Sequence, residues 1–216
     1  MIRLLGSVLL GLAVFGAGCA PSGTAIPEAE SPAAPLPTAA GDRAPELPDV
    51  SLSFISGSRQ LQIGDSLDIA LALFPAPAGA NEFSDLPARL QEPYQVRGWQ
   101  TAEEGVGIAT YRNRVALVMR LRDPANADAF DETRQTYERA FAGLPVKEFS
   151  FPKVRAAFWE ENGVQLMILE SRVSLTGPSL TVALGAQATM EALGMTFERV
   201  RREALAIEER STVEQP

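Results

Sequence analysis

From Ser51 onward the apolar positions come in short blocks, and their spacing changes from one block to the next. Leu67, Ala70, Leu71 and Phe74 fall at helical intervals, which predicts a helix over Asp65–Phe74. Asp65 is placed to cap it, Asp68 gives a capping box with Asp in place of Glu, and Pro75-Ala76-Pro77 ends it. Val106–Tyr111 reads as a strand, Arg112-Asn113-Arg114 as a turn, and Val115–Arg122 as a second strand. In that strand Val115, Leu117, Met119 and Leu121 point one way, and Ala116, Val118, Arg120 and Arg122 the other. A helix over Asn126–Ala142 follows, with Phe130, Arg134, Tyr137 and Phe141 in one stripe and Gly143 and Pro145 closing it.

A second hairpin comes next. Val154–Trp159 is its first strand, Asn162-Gly163 its turn, and Val164–Val173 its second strand, apolar on both faces through Leu166-Met167-Ile168-Leu169 and so suited to the middle of a sheet. Leu180–Leu184 reads as a short further strand and Ala186–Leu193 as a short helix ended by Gly194. Thr196–Glu209 carries Val200, Ala204 and Ile207 on one helical side, with a strand as the alternative. The expected fold is α+β, an antiparallel sheet built from two hairpins with helices packed on one face. The hairpins are alike: Ala109–Met119 can be laid against Ala157–Met167 with small gaps, and each is preceded by a helix. That suggests a helix–hairpin repeat.

Before Ser51 the pattern is different. Met1-Ile2-Arg3 carries one positive charge, and Leu4–Phe15 is an apolar run of twelve residues, too short to span a bilayer of about 20 apolar residues but suited to a secretory signal. Gly16-Ala17-Gly18-Cys19 ends it and resembles the lipobox of bacterial lipoproteins, although Gly16 stands where that family usually has Leu. The resemblance implies cleavage before Cys19 and lipid on its sulfur. Several acyl chains make a stable anchor where one does not. Ala20, in place of Asp, resembles the outer-membrane address. Seven prolines fall from Pro21 to Pro48, and large apolar residues are scarce, so this stretch cannot bury enough surface to fold and reads as a tether. The expected organisation is a signal peptide over 1–18, Cys19 and a tether over 19–50, one domain over 51–210, and a tail over 211–216.

Composition narrows the chemistry. Cys19 is the single cysteine, so no disulfide can form, and with no histidine the Cys/His zinc sites and the Ser-His-Asp and Cys-His constellations are excluded. No cofactor or metal is expected. A net charge of −8 argues against nucleic acid and against attraction to anionic headgroups at long range.

Leu61-Gln62-Ile63-Gly64-Asp65-Ser66-Leu67-Asp68-Ile69-Ala70-Leu71-Ala72-Leu73-Phe74-Pro75 resembles the opening of the SmpA/OmlA (BamE-like) family of small outer-membrane lipoproteins. Gly64, Ser66, Ile69 and Leu73 match; Phe74 replaces the family glycine, and the proline is shifted. The resemblance covers residues 61–122. It implies a non-enzymatic scaffold in outer-membrane protein assembly or envelope integrity.

Few residues suggest chemistry. Glu103-Glu104 read as loop and Glu160-Glu161 as a solvated hairpin tip. Glu170 is the acid most open to burial, with pairing to Arg172 or Arg155 the alternative to an acid–base role. Arg112, Arg114, Arg120 and Arg122 cluster along one hairpin and are the candidate interaction residues, for an anion or for local acid partners. Trp99, Tyr94, Trp159, Phe149 and Phe151 are either core or an exposed partner site. The function expected is a lipid-anchored envelope domain, not an enzyme, that binds another envelope protein, at the outer membrane facing the periplasm. The alternative is a carrier or sensor of an apolar or lipid ligand between helices and sheet.

Overall fold

The computed structural model describes residues 52–213 apart from 88, 175 and 176. The leader, Cys19 and the tether lie outside the described residues. The described chain runs β1 (Phe54–Ser56), β2 (Arg59–Leu61), α1 (Leu67–Leu73), β3 (Asn81–Phe83), β4 (Tyr94–Gln100), β5 (Glu104–Tyr111), β6 (Arg114–Arg122) and α2 (Ala129–Ala140). It continues through β7 (Val146–Ser150), β8 (Val154–Glu161), β9 (Val164–Ser171), β10 (Ser179–Ala186), α3 (Gln187–Leu193) and α4 (Phe197–Val213). It is a mixed α+β architecture. The main sheet has eight antiparallel strands in the order β3-β4-β5-β6-β10-β9-β8-β7, and β1-β2 forms a separate ribbon.

The two hairpins foreseen in the sequence, β5-β6 and β8-β9, are both present. They do not meet: β10 lies between them, paired with β6 on one side and β9 on the other. The stretch expected as a short extra strand is therefore an eight-residue centre of the sheet. Strands β3, β4 and β7 extend the sheet outward on its two sides. β7 reads Val-Lys-Glu-Phe-Ser and β3 has three residues, so neither carries the apolar alternation that marks a strand in sequence.

Helices cover both faces, not one. Val164, Leu166 and Ile168 of β9 join a cluster with Ala70 of α1, with Phe130 and Tyr137 of α2, and with Phe54 of β1. Met167 and Leu169, pointing the other way, join Met190 and Leu193 of α3 and Val200, Ala204 and Ile207 of α4. A strand apolar on both faces needs two covers, and α3 and α4, at the chain's end, supply the second. Each large side chain so buried contributes about 2 kcal/mol.

Local chemistry sets the element ends. Ser66, not Asp65, caps α1, accepting from the Ile69 N–H at 3.4 Å, while Asp65 Oδ2 accepts from the Gln62 N–H at 2.8 Å. The buried side of α1 holds Ala70 and the adjoining Phe74; Leu71 is exposed, so the expected stripe is rotated. α2 starts at Ala129, three residues later than Asn126, and keeps the stripe of Phe130, Tyr137 and Phe141. The segment from Thr196 is helical and runs through Val213, into the stretch read as a tail.

In β6 the strict alternation breaks. Ala109 pairs with Leu117 but Thr110 pairs with Val115, so Ala116 is an extra residue. The bulge turns Val115 to the first face while Leu117 and Met119 pack on the second. Both tight turns place two residues at positive φ, Arg112 and Asn113 at 50° and 63°, Asn162 and Gly163 at 48° and 75°, as two-residue hairpin loops of the primed type require.

Candidate functional site

A row of charged side chains crosses the first face at one end of the sheet. Arg155 of β8 stands opposite Glu170 of β9, Glu170 opposite Leu180 of β10, Leu180 opposite Arg122 of β6, and Arg122 opposite Glu104 of β5. Register alone builds this row, because facing residues in antiparallel strands share a face.

Glu170 is its deepest member, with a side chain 2% exposed. Arg155 donates to it twice, Nε to Oε1 at 3.0 Å and Nη2 to Oε2 at 2.9 Å, and Arg172 Nε donates to Oε1 at 2.5 Å. The third arm of Arg155, Nη1, reaches both oxygens of Asp131 on α2 at 3.2 and 3.0 Å. Its guanidinium carbon lies 4.3 Å from the centre of the Phe130 ring. Desolvation disfavours the charge on Arg155, but the hydrogen bonds it donates to Glu170 and Asp131 outweigh it and hold the group above the ordinary arginine value. The buried carboxylate is gripped by two guanidiniums, and the bonds from Arg155 to Asp131 tie α2 to the sheet. Of its two sequence readings, pairing is the one the geometry gives, and it uses both named arginines. Asp131 and Phe130 complete the cluster; the sequence marked Phe130 as part of the α2 stripe but not Asp131, and only the docking of α2 brings both over Arg155.

At the other end of the row Arg120 Nε pairs with Glu104 Oε1. Arg122 lies beside both. Partial burial and then the neighbouring Arg120 push its pKa below the ordinary arginine value, against the pull of Glu104.

The four arginines of this hairpin do not converge. Arg112 sits in the turn, 5.5 Å from the Tyr111 ring centre, and Arg114 Nη1 donates to the Gly64 carbonyl at 3.3 Å. Eight steps of strand at about 3.3 Å each put Arg114 roughly 26 Å from Arg122. The structure thus keeps Arg120 and Arg122 together and removes Arg112 and Arg114 to the opposite end, a separation that nearness in sequence conceals.

The remaining candidates are structural. Glu160 pairs with Lys147 at 2.8 Å on the surface. Glu103 accepts the Asp123 N–H through its carbonyl. Trp159 is 1% exposed, Trp99 donates Nε1 to the Phe74 carbonyl at 3.0 Å, and Phe149 is buried near Phe151 and Phe197. Tyr94 and Phe151 are half-buried against the second core. Among the described residues, no three carboxylates, histidines or cysteines are grouped to hold a metal ion.

Neither a protein-family model nor a curated protein matches the chain. Among solved structures, the crystal structure of a cysteine-rich secretory protein from Staphylococcus aureus subsp. aureus Mu50 aligns over 59% of this chain and 46% of that one, with 9% identity and a TM-score of 0.31. The chain thus spans about half of that structure, and a likeness of this degree carries no argument about fold or function.

Proposed function

We propose that this protein is a lipid-anchored component of the bacterial cell envelope that works by binding another envelope protein, without catalysing a reaction. One structural observation carries the binding part. Both faces of the sheet are covered by the chain's own helices and ribbon, and its most buried carboxylate is taken up by Arg155 and Arg172, which leaves edges and outer surfaces for contact. Sheet edges are natural docking places for an extended partner segment. The anchor rests on the sequence: the lipobox-like Gly16-Ala17-Gly18-Cys19 and a proline-rich spacer of some thirty residues before β1. On this reading Cys19 carries the lipid, and the domain stands off the outer membrane on the periplasmic side.

The fold itself is read as a helix–hairpin repeat enlarged by flanking strands. What supports this is the order of elements, since α1 precedes β3-β4-β5-β6 as α2 precedes β7-β8-β9-β10, and the last strand of each set meets the other at the middle.

The test is photo-crosslinking in intact cells from positions on β3 and β7, in the native chain and in Cys19→Ser. The native chain should fractionate with membranes and give a discrete adduct with an envelope protein, and the variant should be released from membranes while remaining folded. Unchanged membrane partitioning of the variant would overturn the anchor. Absence of any adduct from either edge would overturn edge docking.

A further inference from the structure

Three anions and four cations share one end of the first face. Glu170 is satisfied by Arg155 and Arg172, Asp131 by Arg155, and Glu104 by Arg120. Arg122 remains: among the described residues its side chain makes no hydrogen bond or ion pair, and it is accessible to solvent although partly desolvated. Arg120 uses only Nε on Glu104, so its two Nη groups also have no bond among the described residues. A guanidinium offers five N–H donors in a planar fork suited to oxyanions.

The two guanidiniums are two residues apart on one strand, hence on one face with Cα atoms about 7 Å apart. Their cross-strand neighbours are apolar. Val106 and Val182 stand opposite Arg120 on its two neighbouring strands, and Leu180 stands opposite Arg122; all three are buried, at 2%, 8% and 2% exposure. Low-dielectric neighbours strengthen the attraction of paired like charges for a counter-ion. Glu104, the carboxylate whose charge acts on Arg122, faces it across the strands but bonds Arg120.

From this placement we infer that Arg120 and Arg122 form a binding site for one phosphate-type oxyanion, with Arg122 as its main ligand and the Nη groups of Arg120 as its second. The partial burial of Arg122 beside Arg120 agrees, since both disfavour its charge in the absence of an anion. The site is independent of the anchor and of any protein partner. The same oxyanion chemistry is offered by free phosphate and by a phospholipid headgroup.

The purified full chain in uncharged detergent, at constant ionic strength, is titrated with inorganic phosphate and separately with glycerophosphoglycerol, a deacylated phospholipid headgroup. Binding is followed by the NMR shifts of the arginine Nε–H groups. Saturable shifts at Arg120 and Arg122 are expected with at least one probe. Tenfold tighter binding of the headgroup identifies the lipid as the source; tenfold tighter binding of phosphate identifies the free ion. Arg122→Gln, whose melting temperature should be unchanged, is expected to weaken binding at least tenfold. Arg114→Gln, at the far end of β6, should leave it unchanged, and Glu104→Gln should tighten it by removing the competing carboxylate. Linear shifts with both probes, an unaltered affinity in Arg122→Gln, or an equal loss in Arg114→Gln would overturn the site.

Discussion

Arg155 grips Glu170 through two parallel hydrogen bonds, Nε to Oε1 at 3.0 Å and Nη2 to Oε2 at 2.9 Å, between register partners on β8 and β9. The same guanidinium reaches across to Asp131 on α2, so one side chain joins two strands and a helix. Removing it strands a buried charge, for which a loss of about 3–5 kcal/mol is typical. Arg155→Met is therefore expected to lower unfolding stability by that order, moderated by Arg172, while the double variant Arg155→Met/Glu170→Leu recovers most of the loss. Urea denaturation of the three proteins checks the ordering; equal destabilisation of single and double variants would contradict it.

Tyr137 gives an alkaline signature. Burial raises its pKa to about 12, against the opposing hydrogen bond from the Ile55 N–H and the Arg120 charge. The folded state holds the phenolic proton longer than the unfolded chain, whose tyrosine titrates near pH 10. The stabilisation is fully present below about pH 10 and is lost as pH rises toward 12, by up to roughly 3 kcal/mol. Tyr137→Phe should remove that slope between pH 10 and 12 while costing about 1 kcal/mol at neutral pH, since the Ile55 N–H loses its acceptor at 3.0 Å. Melting curves across this pH range make the comparison.

Gly98 and Gly105 lie on neighbouring strands and should respond oppositely to the same change. A Cβ on Gly98 would sit 2.3 Å from the Val106 carbonyl and 2.4 Å from the Phe83 ring, whereas on Gly105 its nearest neighbour is 3.6 Å away. Gly98→Ala is expected to cost about 1–3 kcal/mol by overpacking and to lift β3 from β4, and Gly105→Ala to be close to neutral. Thermal melts, with hydrogen exchange along β4, read both effects.

The outer strand β7 carries its own protection against self-pairing. Residues facing each other across two copies must share a face, so an antiparallel pairing centred on Glu148 sets Glu148 against Glu148, and one centred on Lys147 sets lysine against lysine. Like charges at a sheet edge are a known guard against association. Lys147→Val/Glu148→Val should produce concentration-dependent dimers in sedimentation velocity, at little cost to the monomer's stability because the ion pairs lost, to Glu160 and Arg134, are exposed.

Periodicity and turn chemistry made much of the core readable in advance. The stripe of Phe130, Tyr137 and Phe141, the Asn162-Gly163 turn, the doubly apolar β9 and the Gly194 stop all appear where local pattern puts them, because each rests on local geometry. Three kinds of feature were hidden for physical reasons. Strand β7 is held by pairing with β8, not by a run of apolar residues, so Val146 and Phe149 on either side of Lys147-Glu148 give no strand alternation. The extra residue at Ala116 is visible only once β5 and β6 are aligned, yet it decides which face Val115 joins. Asp131 meets Arg155 only through the placement of α2, which no spacing encodes. For the candidate site, sequence proximity grouped four arginines, and strand extension divided them into two pairs.

The position of β10 has a consequence for biogenesis. The strand that joins the two halves of the sheet begins at Ser179, after both hairpins have been made. As the polypeptide is synthesised, β6 and β9 expose unmated inner borders until that segment emerges. A nascent chain stalled before Ser179 therefore carries two unpaired strand borders, and the interval before release of β10 is when this protein is most open to aggregation or proteolysis.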